Sequence, residues 1–115
     1  MLHQLQIAIQ VADPTTDKMR KAIIGCVAIR ADGTLVKSRN QSTLNPTGKS
    51  PSVHAEARVL RKAGYGATVY VARIRRDGSI GCAKPCIHCM NSLRSRGVEM
   101  VYWTVEGNDW EACRP

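Results

Sequence analysis

Two short segments hold the residues most capable of chemistry: His54-Ala55-Glu56 and Pro85-Cys86-Ile87-His88-Cys89. Together they offer an imidazole, two thiolates and a carboxylate. Cysteines spaced i, i+3 lie one turn apart if a helix opens there, so both sulfurs can face one ion, and a helix N-terminus favours their thiolate forms. Pro85 suits the start of such a helix, where a missing N–H costs nothing. His54, at a second helix start, adds a third ligand. Three protein ligands leave one tetrahedral zinc position open for water, which is the catalytic arrangement. Glu56, two residues beyond His54, is placed to take that water's proton and pass it on. The chemistry supported is hydrolytic: attack of an activated water on an electrophilic carbon.

Each part also has a plainer explanation. His-x-Glu arises by chance in many proteins, and Glu56 near Ser50 and Ser52 fits a capping role. A Cys-x-x-Cys pair alone fits a redox dithiol, but that leaves His54 and Glu56 unused. A closed structural zinc site needs a fourth protein ligand, from Cys26, Cys82 or His88. Three ligands accompanied by Glu56 favour the open site.

The chain has 115 residues, 43% of them apolar, and a formal net charge of +8. That length suits one domain spanning residues 1–115, with a modest core. Phe is absent and aromatics make up 4%, so the core must be built from Val, Ile, Leu, Ala and Met. The basic balance predicts acidic partners, either nucleotide phosphates or a nucleic acid backbone, without choosing between them. Five cysteines, an odd number, argue against a secreted disulfide scaffold. Gln4, Gln6, Gln10 and Asp13 interrupt the N-terminal apolar residues too often for a secretory signal. No window is apolar enough to span a membrane. A cytoplasmic location is expected.

The elements that must position the motifs follow from periodicity. Leu2, Leu5, Ile9 and Ala12 recur at helical spacing over residues 2–12, and Asp13-Pro14 stops that helix. A short helical piece is predicted over 15–21. Residues 22–30 read as a buried strand, Asp32-Gly33 as a hairpin turn, and 34–38 as the returning strand. A polar loop over 39–53 leads to a helix over 54–63, with Ala55, Val59, Leu60 and Ala63 facing inward and Gly64 and Gly66 ending it. Residues 67–74 alternate as a strand, and 75–79 form an exposed turn. A helix over 86–96 turns Met90 and Leu93 inward, with Arg94 at the margin, and Gly97 closes it. Residues 98–104 form a further strand. The tail from Val105 to Pro115 carries no clear signal. This order predicts an α/β fold: a three-layer α/β/α sandwich around a mixed sheet of about five strands, with an antiparallel first hairpin and parallel later strands joined by helical crossovers.

The two motifs resemble the His-x-Glu and Pro-Cys-x-x-Cys signature of the cytidine deaminase-like zinc deaminases. The likeness extends over roughly residues 5–104. Gly66-Ala67-Thr68-Val69-Tyr70-Val71 is similar to the strand leading to the cysteine motif. Residues 93–104 are similar to the deoxycytidylate, tRNA adenosine and polynucleotide-editing branch, in which the last strands run parallel. The resemblance implies one zinc ion per chain on His54, Cys86 and Cys89, with Glu56 as proton shuttle and not a ligand. It implies that Asn40 contacts a substrate sugar, that the Ala55 and Cys86 N–H groups hold a base carbonyl, and that the residue before Pro85, here Lys84, offers its carbonyl to the exocyclic amine. A homo-oligomer is also implied.

The stretch from Ala72 to Lys84 is longer and more basic than the family's usual link. Arg73, Arg75 and Arg76 there, with Trp110 as a stacking residue, are candidate nucleic-acid contacts. The expected function is zinc-dependent hydrolytic deamination of a cytosine nucleoside or nucleotide to the uracil product. The alternatives are deamination on single-stranded DNA or RNA, and a zinc-stabilised nucleic-acid-binding module without turnover.

Overall fold

Apolar β-branched runs set the centre of the sheet. In the computed structural model, residues 2–12, 22–39, 41–42, 52–53, 62–75 and 77–115 are described. Strand β1 (Ala22–Ile29) pairs antiparallel with β2 (Leu35–Arg39). Asp32-Gly33 makes the turn between them as expected. Gly33 takes φ +89°, which only glycine adopts cheaply, and Asp32 Oδ1 accepts the Thr34 N–H at 2.9 Å. That bond holds the Asp32 carboxyl below its ordinary range. Within the predicted polar loop, β3 (Gln41–Ser42) and β4 (Ser52–Val53) pair as a small separate sheet.

The main sheet continues with β5 (Thr68–Arg75), β6 (Ile80–Gly81), β7 (Met100–Thr104) and β8 (Trp110–Cys113). Its order is β2-β1-β5-β7-β8, with β6 paired to β5. β1 runs antiparallel to β5, and β5 parallel to β7. The crossover between that parallel pair holds helix α2 (Ile87–Ser95). Helix α1 (His3–Val11) lies on the other face. The result is the expected α/β class with three layers and a mixed sheet.

Strand alternation assigns the two faces. Cys26, Ala28, Val69, Val71, Val101 and Trp103 pack with Leu93 of α2. Val27 and Ala72 pack with Ala8 of α1, while Ile23 and Ile74 pack with Ala12. The buried stripe of α1 is Leu5, Ala8 and Ala12, with Ile7, Ile9 and Val11 half-buried. On α2 the inner stripe is Cys89 and Leu93 with Met90 half-buried, and Arg94 is exposed. Gly97 ends α2 at φ +73°, with the Tyr65 ring against its α-carbon.

The expected exposed turn is present over 77–79, but Arg75 belongs to β5 and the chain folds back after the turn as β6. The tail also makes a strand, β8, antiparallel to β7. The closing pair is therefore antiparallel, not parallel as the branch resemblance implies. A parallel pair needs a crossover of about a dozen residues or more, and the link over residues 105–109 permits only a hairpin. The predicted helical piece over 15–21 and most of the helix over 54–63 lie outside the described residues. Lys62 and Ala63 are helical, and Ala63 is buried as expected.

Candidate metal centre and active site

A helix crossing between parallel strands runs antiparallel to them, so the N-terminus of α2 sits at the carboxyl ends of β5 and β7. That is where open α/β sheets bind ligands. The chain reaches it in a short extended run after β6. Ala83 N–H donates to the Thr104 carbonyl at the end of β7 at 2.9 Å, and Ala83 and Pro85 are buried. Cys86 is the residue from which α2 departs, with φ −67° and ψ 169°, and its carbonyl accepts the Met90 N–H at 2.8 Å. Cys89 lies one turn further. The pair thus occupies the first turn of α2, with Cys86 exposed and Cys89 buried at 8%.

This donor pair fits zinc. Two thiols on one helical turn match a tetrahedral thiolate site, and the partial positive charge of the helix N-terminus favours their ionised form. Among the described residues no group of three or more metal-ligating side chains gathers. His54, Ala55, Glu56, Asn40 and Arg76 lie outside the described residues, so the structure places only the cysteine half of the predicted site, with Pro85 and Lys84 leading into it.

The surroundings of that half are held by contacts that the sequence motifs do not announce. The Thr104 hydroxyl is fully buried. It donates to the Gly81 carbonyl at 2.8 Å and accepts the Arg73 N–H at 3.2 Å, tying β6 and the end of β5 to β7. Arg75 makes a bidentate pair with Glu106 in the β7–β8 turn, with Nη1 to Oε2 at 3.1 Å and Nη2 to Oε1. Arg75 also donates to the Ile80 carbonyl at 3.3 Å. Hydrogen bonding to Arg75 holds the Glu106 carboxyl below its ordinary range and raises the guanidinium in turn. In the β5–β6 turn, Asp77 Oδ1 accepts both the Ser79 N–H at 2.9 Å and the Ser79 hydroxyl at 2.6 Å. The long basic stretch is thus a pinned hairpin beside the cysteine run.

The remaining predicted residues divide. Arg73 and Lys84 are exposed at this end of the sheet. The Lys84 ammonium lies 5.9 Å from the Trp103 ring centroid, within cation–π range. Trp103 is in the core, and its buried indole N–H has no hydrogen-bond partner among the described residues. Arg75 is committed to Glu106. Trp110 is 37% exposed but lies on the α1 face, opposite α2. There it tilts against Tyr102 at 5.6 Å, and Tyr102 stacks on Tyr70 at 4.9 Å. Burial pushes the Tyr70 hydroxyl up, and Tyr102 adds to the effect.

A mixed sheet with a Pro-Cys-x-x-Cys helix start at the carboxyl ends of its parallel strands defines a cytidine deaminase-like α/β protein. Residues 2–105 match the family described as the cytidine and deoxycytidylate deaminase zinc-binding region, and the chain belongs to that family. Its fold is similar to the crystal structure of cytidine deaminase from Burkholderia pseudomallei, with TM-score 0.64, 18% identity, and 99% of this chain and 93% of that one covered. Cytidine deaminase from Mycobacterium tuberculosis gives TM-score 0.57 and 21% identity over 88% of this chain and 80% of that one. The Mycobacterium leprae enzyme gives 0.59 and 14% over 95% and 89%. At these identities the likeness speaks to the fold. No curated protein sequence matches the chain significantly.

Proposed function

We propose that the chain is a zinc-dependent hydrolytic deaminase of a cytosine-containing nucleoside or nucleotide, releasing the uracil product and ammonia. The observation that carries this reading is the Cys86 and Cys89 pair in the first turn of α2, at the carboxyl ends of β5 and β7, in a chain that belongs to the cytidine and deoxycytidylate deaminase family. His54, Cys86 and Cys89 would hold the ion, one per chain. When bound, zinc supplies a water acidic enough to ionise near neutral pH. Glu56 takes a proton from that water and delivers it to the ring nitrogen. The water's oxygen would add to the carbon that bears the amine; Glu56 would then take the second proton from that oxygen and hand it to the amine, so that the C–N bond breaks, ammonia leaves and the carbonyl forms. Asn40 holds the sugar, the Ala55 and Cys86 N–H groups hold the base carbonyl, and the Lys84 carbonyl accepts from the exocyclic amine. The Lys84 ammonium over Trp103 leaves that carbonyl as the group of Lys84 suited to the task.

A free nucleoside or nucleotide is favoured over a polynucleotide for two reasons. The closing antiparallel pair departs from the branch that includes the polynucleotide enzymes. Of the candidate nucleic-acid contacts described, Arg75 is held by Glu106 and Trp110 lies on the opposite face from α2. The test is ammonia release by the zinc-loaded chain from cytidine, deoxycytidine, their monophosphates, adenosine, guanine and single-stranded oligonucleotides. Glu56→Gln should keep its zinc and lose about 10²–10⁴-fold in kcat, the usual worth of a general acid–base. Cys89→Ala should lose the zinc itself, measured by metal analysis. Turnover of oligonucleotides alone would replace this reading with the polynucleotide one. Full zinc content with no turnover on any substrate would favour the binding module.

A further inference from the structure

Trp103 and Thr104, which end β7, grip the run that leads to Cys86 at successive points. The Thr104 hydroxyl donates to the Gly81 carbonyl at 2.8 Å, and the Thr104 carbonyl accepts the Ala83 N–H at 2.9 Å. At the next residue the Lys84 ammonium lies 5.9 Å from the centre of the Trp103 ring. Pro85 follows and is buried.

These contacts act on few torsions. A residue before proline is held to extended ψ values, so Pro85 restricts ψ of Lys84. The Ala83 bond anchors the chain just before it. The main freedom left is φ of Lys84, and rotation about φ swings the side chain and the carbonyl together. A Lys84 side chain seated on a fixed ring therefore also fixes where its carbonyl points. Trp103 suits that seat. It is 4% exposed and packs in the cluster that contains Val71 and Leu93. Indole is the best of the aromatic faces for a cation. Its buried N–H has no hydrogen-bond partner among the described residues, a cost that a purely apolar ring would avoid and that the hold on Lys84 offsets.

We propose that Trp103 and the Lys84 ammonium are positioning residues that set the chain's preference for an amino-pyrimidine over an oxo-pyrimidine. The proposal rests on the reading above, in which the Lys84 carbonyl accepts from the exocyclic amine. A carbonyl oxygen only accepts. It is matched by the N–H of a ring amine and opposed by the oxygen that stands at that place in uracil, so one group attracts the substrate and repels the product. Its direction decides how sharply it does so. Lys84 is exposed, so its ammonium reaches the ring from the solvent side and takes no place in the core.

The test is calorimetric binding of cytidine, uridine and their monophosphates to the zinc-loaded full chain carrying Glu56→Gln, which holds the cytosine forms without consuming them. That chain should bind the cytosine form more tightly than the uracil form. Adding Lys84→Met keeps the backbone carbonyl and the apolar stem but removes the charge. The ratio of the two affinities should then fall about two- to fivefold, the worth of a cation on an aromatic ring at an exposed position, with zinc content unchanged. Lys84→Arg should restore the ratio, because a guanidinium stacks on the same face. Trp103→Leu should lower the ratio as Lys84→Met does, and combining the two should lower it no further. Should Trp103→Leu fail to fold, Lys84→Met and Lys84→Arg decide alone. A ratio that Lys84→Met leaves unchanged, or that falls as far in Lys84→Arg, would overturn the proposal and leave the deaminase reading in place. Equal or absent binding of the two forms by the Glu56→Gln chain would also overturn it, and if the parent chain releases no ammonia the deaminase reading falls as well.

Discussion

The two faces of the sheet are packed by different means. Against α2, long side chains interlock in one continuous cluster built on Leu93, Val69, Val71, Val101 and Trp103. Against α1, the contact is close and thin. Gly25 lies so near the helix that an added Cβ would sit 2.7 Å from the Ala12 nitrogen and nearer still to the Ala8 carbonyl oxygen. Small residues, Ala8, Ala12 and Ala72, complete that contact. The difference shows how the fold divides its labour. A deep core on one face fixes the first turn of α2, where the cysteines sit, while the other face holds a helix that carries none of the candidate chemistry.

Three substitutions or conditions sharpen this contrast. Leu93→Ala should cost most, about 2–5 kcal/mol, because it leaves a cavity in a core shared by both strands and helix. Urea unfolding would measure the loss, and zinc affinity should weaken with it because α2 loses its seat. Gly25→Ala should cost about 1–3 kcal/mol by overpacking, since the obstacle is backbone that must move as a unit. Turnover per folded molecule should be unchanged, and an equal loss of activity in both variants would erase the distinction between the faces.

The smallest effect belongs to the Arg75 and Glu106 pair. The folded Glu106 carboxyl ionises more readily than its ordinary value of 4.5 allows, so the native state binds fewer protons than the unfolded one. Its stabilisation is complete above that ordinary value and fades as pH falls through the lower folded one. Side-chain exposures of 38% and 67% keep the contribution small. Arg75→Ala should therefore lower stability slightly at neutral pH, with the difference from the parent vanishing as pH falls through the folded Glu106 value, as read from thermal melts at a series of pH values.

Much of the molecule was legible because the signals are local. The spacing of Cys86 and Cys89 declares one helical turn, and Pro85 declares where it opens. Asp32-Gly33 declares the first hairpin, while the near-continuous apolar run in 22–30 and the alternation in 67–74 declare the central strands. Those features need only neighbours a few residues away, and they sufficed to predict the layered mixed sheet and the cysteine half of the candidate site. His54 and Glu56 remain readings of the sequence.

What the tertiary structure decided depends on partners distant in the chain. Nothing near Arg75 marks it for Glu106, 31 residues on. Nothing in Thr104 announces that its hydroxyl bridges Gly81 and Arg73. Residues 110–113 are too short and too mixed to show a strand period, and they become β8 only because β7 offers an edge at the right distance. The fate of Trp103 and Trp110 was settled the same way. Both sit in strands, but one points into the core beneath α2 and the other away from it, because pleat and register, not composition, choose the face.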